Sequence, residues 1–556
     1  MRERVIDLAS PADFPSSNNH TRAEVNRALA HFIDPENSRM RFSNFMENMM
    51  EMMVGDELED DLDVSQVQML EKIRDMVGYL DSARRFNNRY IGHMLSESCV
   101  PALLGSIAAL RLGGNTVARE VSFRESNLEH AAMTGLMEIV GYEPGKASGT
   151  FTSGGTMANV TALAVARKRI EADHKLYGES FNKRLCVLSI PQAHYSVRKA
   201  VDLLSGPNLE VDPAQISEAL GNDWCGPLSE KDQAKIKFLR DVEFVSVRTK
   251  GLKMDPESLE ETIREIEEKG ERQIMAVVAV PGETETGLVD PLDEILEITR
   301  RHGIFSIADG AYGAPFRLSK YAGGLFASLG GFDAVVVDPH KALYTPYANG
   351  AVLFRDAWDH LLLVKDVRAE YVGFQEDLVE MLRELRTGEG SLGQKRIEGS
   401  MGPGPILATL AVLDTLGTEG LAVVYDMNIE RTRFLYQRVR ASEWLVPMHK
   451  PDLNLLCFAL SDQAEELLGI TNNKARKEYI NQLRTDLDDQ IQGEGGFFFS
   501  ATDLPLDGMD DEGKPLSRFV FRSCIMHPRT TDKIVSDAVA ALEKLIQERI
   551  YGPRRE

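Results

Sequence analysis

Four stretches of this 556-residue chain carry reactive side chains at turns, three of them after short apolar runs. Ala334–Gly350 reads AVVVDPHKALYTPYANG: a β-branched run, then a turn carrying His340 and Lys341 close to Tyr344 and Tyr347. Pro339 cannot donate a ladder hydrogen bond, so the strand should end beside it. Most lysines are solvated charges. A lysine that closes a buried strand among aromatic residues can instead give up its proton and form a Schiff base with an aldehyde. One crossover earlier, Ile304–Ala308 runs into Asp309-Gly310-Ala311-Tyr312-Gly313. A carboxylate at the end of a buried strand is costly unless a partner meets it. In Gly149–Asn159 (GTFTSGGTMAN) a Gly-Gly-Thr turn opens an Ala-rich helix. Such a turn aims bare N–H groups and a helix dipole at an anion. His194 follows the run Leu185–Ile190, either as a strand-end histidine bonded to the backbone or as a flat ring lying on a flat ligand. An anion seat, a flat stacker, a carboxylate and a lysine form a set suited to an anionic aromatic aldehyde.

The elements that must position these residues alternate. Apolar runs at Leu185–Ile190, Val242–Val247, Ile274–Val280, Ile304–Ala308, Ala334–Val337 and Ala351–Phe354 read as strands. Amphipathic stretches at Leu128–Val140, Asp255–Glu268 and Leu292–His302 read as helices. This alternation predicts an α/β fold with a mostly parallel central sheet flanked by helices, with ligands at the carboxyl ends of the strands. Residues 1–110 read as a helical N-terminal segment, with periodic stretches at Ala23–Phe32 and Val64–Leu80, a Met- and Phe-rich run at Phe42–Met53, and an acidic, solvated run at Glu57–Asp63. Residues 111–420 form the large unit. Residues 421–556 read as a small α+β domain: a helix through Arg440, a strand at Leu455–Leu460, a helix at Asn472–Gln492, paired strands at Phe497–Phe499 and Arg518–Phe521 around an acidic loop Asp503–Gly513, and a closing helix Thr531–Arg549.

Composition narrows the function. With 63 basic and 86 acidic residues the formal charge is −23, which argues against a nucleic-acid partner. The cysteines Cys99, Cys186, Cys225, Cys457 and Cys524 are scattered without a CxxC pair, as expected of reduced thiols rather than of a zinc site. No apolar leader opens the sequence and no run is long enough to span a bilayer, so a cytoplasmic enzyme without membrane attachment is expected.

The segment around Lys341 resembles the Schiff-base motif of the pyridoxal-phosphate-dependent group II amino-acid decarboxylases, most closely that of the bacterial tyrosine decarboxylases. Other segments match in the same order. Asn88–Glu97 (NRYIGHMLSE) and Val117–Glu120 resemble a region at the active-site mouth of that family, which would set His93 against the substrate side chain. Gly155 and Thr156 fall where the family holds the cofactor phosphate, and His194 where a histidine stacks on the pyridine ring. Thr284, in PGETETGLVDP, matches a cofactor-contacting threonine, although Glu283 departs from the commonest pattern. Asp309 matches the aspartate bonded to the pyridinium nitrogen. His340 precedes the lysine as part of the cofactor motif. Tyr347, and Ser400 in Glu398-Gly399-Ser400, are expected on the substrate side. Tyr371 lies where relatives carry a mobile-loop tyrosine that protonates the α-carbon. Arg522–Pro528 resembles an R-S-C-x-M-N-P segment, with His527 in place of asparagine.

The resemblance implies fold type I (aspartate aminotransferase-like), pyridoxal 5′-phosphate as cofactor, no metal, a homodimer wrapped by its N-terminal helices, and α-decarboxylation of an L-amino acid. The expected substrate is L-tyrosine or another aromatic amino acid. Glutamate or aspartate decarboxylation stays open, with Arg119 or Arg522 as partner for a distal carboxylate. So does lyase or aminotransferase chemistry on the same fold. The degenerate, non-catalytic homologue is opposed by the intact Lys341, Asp309 and His194.

Overall fold

A computed structural model describes residues 20–32, 87–177, 183–205, 242–363, 378–489, 496–509 and 515–552. Tyr371, Cys225, the Met-rich run, the acidic run Glu57–Asp63 and the stretch Val64–Leu80 lie outside the described residues.

The chain first lays down β1 (Ser148–Thr152), β2 (Arg184–Ser189), β3 (Val242–Ser246), the short hairpin β4 (Thr249–Lys250) and β5 (Lys253–Met254), then β6 (Arg272–Ala279), β7 (Phe305–Asp309), β8 (Ala334–Val337) and β9 (Gly350–Phe354). Seven of these form one sheet in the order β1-β9-β8-β7-β6-β2-β3. β3, β2, β6, β7 and β8 run parallel, while β9 runs antiparallel between β8 and β1. Because β1 opposes β9, it points the same way as β8. The carboxyl ends of β1, β2, β6, β7 and β8 therefore share one edge, and every reactive residue singled out at a strand end comes to it.

The fold is α/β with helices covering a mostly parallel sheet, as the alternation predicts. Parallel strands covered on both faces need continuous apolar runs, and all residues of β7, β8 and β9 are buried. β1 carries no such signal in SGTFT, yet it too is wholly buried. Gly149 lets it approach β9, since a Cβ there would sit 2.8 Å from the Val352 carbonyl oxygen. That strand exists because of a partner two hundred residues away.

The C-terminal part adds β10 (Leu445–Pro447), β11 (Leu455–Leu460), β12 (Ser500–Met509) and β13 (Pro515–Cys524), an antiparallel sheet in the order β10-β11-β13-β12. The acidic stretch from Asp503, expected as a loop, continues as β12 to Met509. As an edge strand it keeps Asp503 in solvent while Leu504 turns into the core. Phe497–Phe499, expected as the strand itself, lies just before it, with Phe498 bridging to Tyr90. The helix Gly417–Arg440 crosses the expected boundary at residue 421. Leu421–Ile429 pack in the core of the large sheet, whereas Leu435 and Val439 pack with the C-terminal sheet.

The cysteines Cys99, Cys186, Cys457 and Cys524 are buried free thiols. Among the described residues no single helix is long and apolar enough to cross a membrane, although the bent pair Gly404–Thr415 and Gly417–Arg440 passes such a test together by length and composition.

Candidate active site

The shared strand edge opens into a cavity of about 330 Å³. Gly155, Thr156, His194, Thr284, Asp309, His340, Lys341 and Tyr347 all line it, so eight of the residues expected from the sequence meet in one place. His93 and Ser400 do not line it. Ser400 is exposed and accepts a hydrogen bond from Asn115 Nδ2 at 3.0 Å. His93 belongs to an aromatic cluster beside the cavity.

Lys341 stands on the short helical turn Pro339–Ala342 that ends β8. Its Nζ lies 3.1 Å from Asp338 Oδ2, and His340 Nε2 lies 3.6 Å from the same oxygen. His340 Nδ1 meets the carbonyl oxygen of Asn349 at 2.6 Å, which ties the lysine turn to the start of β9. Tyr344, grouped with the lysine in the sequence, turns away. Its hydroxyl donates to the Met526 carbonyl at 2.8 Å inside the core, and burial pushes its phenol far above the ordinary range. Tyr347 remains on the cavity side. Burial first, then the charges of Asp338 and Tyr90, push its phenol up to about 12.

Asp309 closes β7 at 5% exposure. Asn159 Nδ2 donates to Asp309 Oδ2 at 3.0 Å and to Ser196 Oγ at 3.0 Å. Ser196 Oγ lies 2.7 Å from His194 Nδ1, and the Ser196 N–H points at the same nitrogen at 3.3 Å. With both Ser196 donors aimed at Nδ1, that nitrogen accepts and the proton sits on Nε2. Burial lowers the imidazole pKa below its ordinary value, helped by the nearby Lys341 and opposed by Asp309 and Asp338. His194 is thus a neutral, flat ring whose plane is locked to Asp309 through Asn159 and Ser196. The sequence reading missed both of these linkers. Asn159 sits one helical turn beyond Gly155 and so faces the same side, and Ser196 lies in the first turn of the helix Tyr195–Leu204, its N–H capped by the His194 ring.

The Gly-Gly-Thr turn joins β1 to the helix Gly155–Tyr177. Gly154 (φ +155°) packs so tightly against β9 that a Cβ on Gly350 would lie 2.5 Å from its Cα. The PGETETG turn after β6 brings in Thr284. Glu283 holds this turn: its carboxylate accepts from Glu285 N–H, Thr286 N–H and Thr286 Oγ. From the C-terminal sheet, Arg522 donates to the carbonyls of Thr284, Glu285 and Gly92 and to Ser500 Oγ. It thereby ties the Thr284 turn to the segment carrying His93.

Beside this tie, Tyr90 stacks on Phe498 with ring centroids 4.7 Å apart, and its hydroxyl lies 2.5 Å from His93 Nδ1. Burial, then Arg522 and Arg484, lower the His93 pKa. Farther out, Arg396 and Glu129 form an ion pair of 2.5 Å with both side chains fully buried. Arg396 also donates to Thr150 Oγ, Thr116 Oγ and the Gly399 carbonyl. This anchors the 396–400 segment against β1.

The residues fit pyridoxal 5′-phosphate on two counts. The Glu398 carboxylate sits on the Ser153 N–H at 3.1 and 3.2 Å, so the turn holds an anion. Asp309 forms no ion pair among the described residues, and a buried carboxylate in that state calls for a cation such as a protonated ring nitrogen.

Comparison with known proteins agrees. A family model described as the pyridoxal-dependent decarboxylase conserved domain matches residues 207–461. The aspartate 1-decarboxylase of Aliivibrio fischeri is 25% identical over 81% of this chain and 78% of its own length. The aromatic-L-amino-acid decarboxylase of Bacillus atrophaeus is 26% identical over 76% of this chain and 73% of its own. Among solved structures, mouse CSAD superposes with a TM-score of 0.66 at 20% identity, covering 94% of this chain and 97% of that one. The tryptophan decarboxylase of Catharanthus roseus in complex with L-tryptophan reaches 0.65 at 14% identity, covering 93% and 99%. At these identities the structural likenesses speak for the fold.

Proposed function

We propose that this pyridoxal-phosphate-dependent amino-acid decarboxylase acts on an aromatic L-amino acid, L-tyrosine foremost. The observation that carries this reading is the Tyr90–His93–Phe498 surface, joined to the cavity through the shared Arg522 bonds to Gly92 and Thr284. Ring faces and edges there suit an aromatic side chain, and the Tyr90 and His93 polar ends suit a phenol hydroxyl. Arg522, open from the sequence as a partner for an acidic substrate, has its guanidinium committed to backbone carbonyls, Ser500 Oγ and the Glu285 carboxylate. The Arg119 guanidinium lies over the Phe123 ring at 4.6 Å and does not line the cavity.

When bound, the cofactor supplies the electron sink for the bond that breaks at Cα. The chain does the rest. Lys341 would hold the aldehyde of the cofactor. Asp309 keeps the ring nitrogen protonated, and Asn159 and Ser196 hold it in register with His194. The His194 face orients ring and substrate carboxylate, and the Ser153–Thr156 N–H groups, with Thr156 Oγ, bind the phosphate. Tyr371 is the proposed donor of the proton that returns to Cα. A homodimer completes the proposal. Leu104, Leu110 and Leu112, exposed along the helix Val100–Leu112, supply apolar surface for a second copy.

Mass spectrometry of products tests the reading. Purified protein with added pyridoxal phosphate is incubated with each L-amino acid in turn. Tyramine or another aromatic amine, lost in Lys341→Ala, is the expected result. β-Alanine or γ-aminobutyrate would move the substrate to the acidic class named by several relatives.

A further inference from the structure

The seat assigned to the cofactor phosphate is bordered by two carboxylates of the chain itself. Glu398 places both oxygens on the Ser153 N–H, at 3.1 and 3.2 Å. It is held there from a fixed point: Arg396, two residues earlier, has a fully buried side chain paired to Glu129 and donates to Thr150 of β1. The next residue, Gly399, has φ +71°, a backbone state that glycine enters freely, and beyond it Ser400 is exposed. Glu398 is therefore presented to the turn by an anchored segment with a permissive joint behind it.

Asp338 approaches the same turn from the other side. It is 2% exposed, and among the described residues its Oδ1 has no hydrogen-bond partner. A Cβ on Gly155 would lie 2.7 Å from Asp338 Oδ2, and one on Gly350 would lie 2.8 Å from Oδ1. The two glycines leave room for a carboxylate packed against the backbone that should receive a phosphate. Its cationic neighbour is Lys341 at 3.1 Å.

We propose that the phosphate seat is self-competed. The cofactor phosphate binds by displacing Glu398 from the Ser153 N–H and settles beside the charge of Asp338, so the chain limits its own affinity for the phosphorylated cofactor. A backbone N–H cannot serve two anions at full strength, and a charge-assisted bond is worth about twice a neutral one. The proposal rests on reading Ser153–Thr156 as the phosphate seat.

The test uses ligands that Lys341 cannot trap. Cofactor-stripped full-length protein is titrated calorimetrically with 4-deoxypyridoxine 5′-phosphate and with 4-deoxypyridoxine, which lacks the phosphate. Glu398→Gln is expected to tighten the phosphorylated ligand about tenfold, which is about 1.4 kcal/mol, and to leave the unphosphorylated one unchanged. Asp338→Asn is expected to act in the same direction, and it carries the test if the Glu398 variant folds poorly. Unchanged or weaker binding of the phosphorylated ligand in both variants overturns the competition while leaving the seat in place. A wild type that binds both ligands equally overturns the seat itself and the inference with it.

Discussion

The cavity edge of the large sheet and the facing edge of the C-terminal sheet are both lined by buried polar groups, and they are finished differently. On the large sheet, among the described residues, Asp309 has hydrogen bonds but no ion pair and Asp338 Oδ1 has no donor. On the C-terminal sheet, every nitrogen of the Arg522 guanidinium meets an oxygen of Gly92, Thr284, Glu285 or Ser500. Unsatisfied buried groups are costly, so they mark places where the fold gives up stability at the ligand site. Saturated groups hold geometry. The contrast separates residues that act on the ligand from residues that place them.

Three substitutions press on that contrast. Asp309→Asn removes the charge that faces the ring nitrogen while keeping the Asn159 bond possible. It should lower kcat by about a hundredfold to a thousandfold, the range for losing a preorganised electrostatic partner, with little change in unfolding free energy. A large fall in stability instead would make Asp309 structural. Arg522→Met leaves the Gly92 and Thr284 carbonyls buried without donors. It should cost about 1–3 kcal/mol in denaturant unfolding and raise KM for aromatic substrates more than it lowers kcat, because the His93 segment loses its tie. Glu283→Gln tests the smallest effect. Burial raises the Glu283 carboxyl from an ordinary 4.5 to about 6, against the N–H donors of Glu285 and Thr286. The folded protein then binds the proton more tightly than the unfolded chain. The stability this confers is full below pH 4.5 and is lost as pH rises toward 6. The wild type should therefore lose about 1–2 kcal/mol across that window relative to Glu283→Gln, measured as unfolding free energy against pH.

Much of the site was legible because its chemistry sits in turns directly after buried strands. Ala334–Val337 and Leu455–Leu460 have the expected ends, and the strands at Arg272–Ala279 and Phe305–Asp309 shift by a residue or two. Continuous apolar runs are forced on strands covered on both faces. β1 was illegible for the opposite reason: SGTFT is buried by pairing with β9 and by no property of its own. β12 was illegible because an edge strand tolerates the acidic side chains that elsewhere signal a loop. His93 and Ser400 were placed on the substrate side by resemblance, and both stand off the described cavity lining. The Arg522 bond to the Gly92 carbonyl links the His93 segment to the Thr284 turn.

By itself the sequence determined the type of chemistry. A lysine, a carboxylate, a histidine and a glycine turn each follow an apolar run or open a helix, and such local patterns survive whatever the rest of the chain does. Only the tertiary structure decided that they meet. Sheet order brings five strand ends to one edge, and the antiparallel β9 lets β1 deliver its turn beside Lys341. The Asn159–Ser196 link, the Arg522 tie and the carboxylates of Glu398 and Asp338 at the anion seat join residues far apart in the chain. Hydrogen bonds act over about 3 Å, a separation that local sequence pattern does not encode and that packing alone sets.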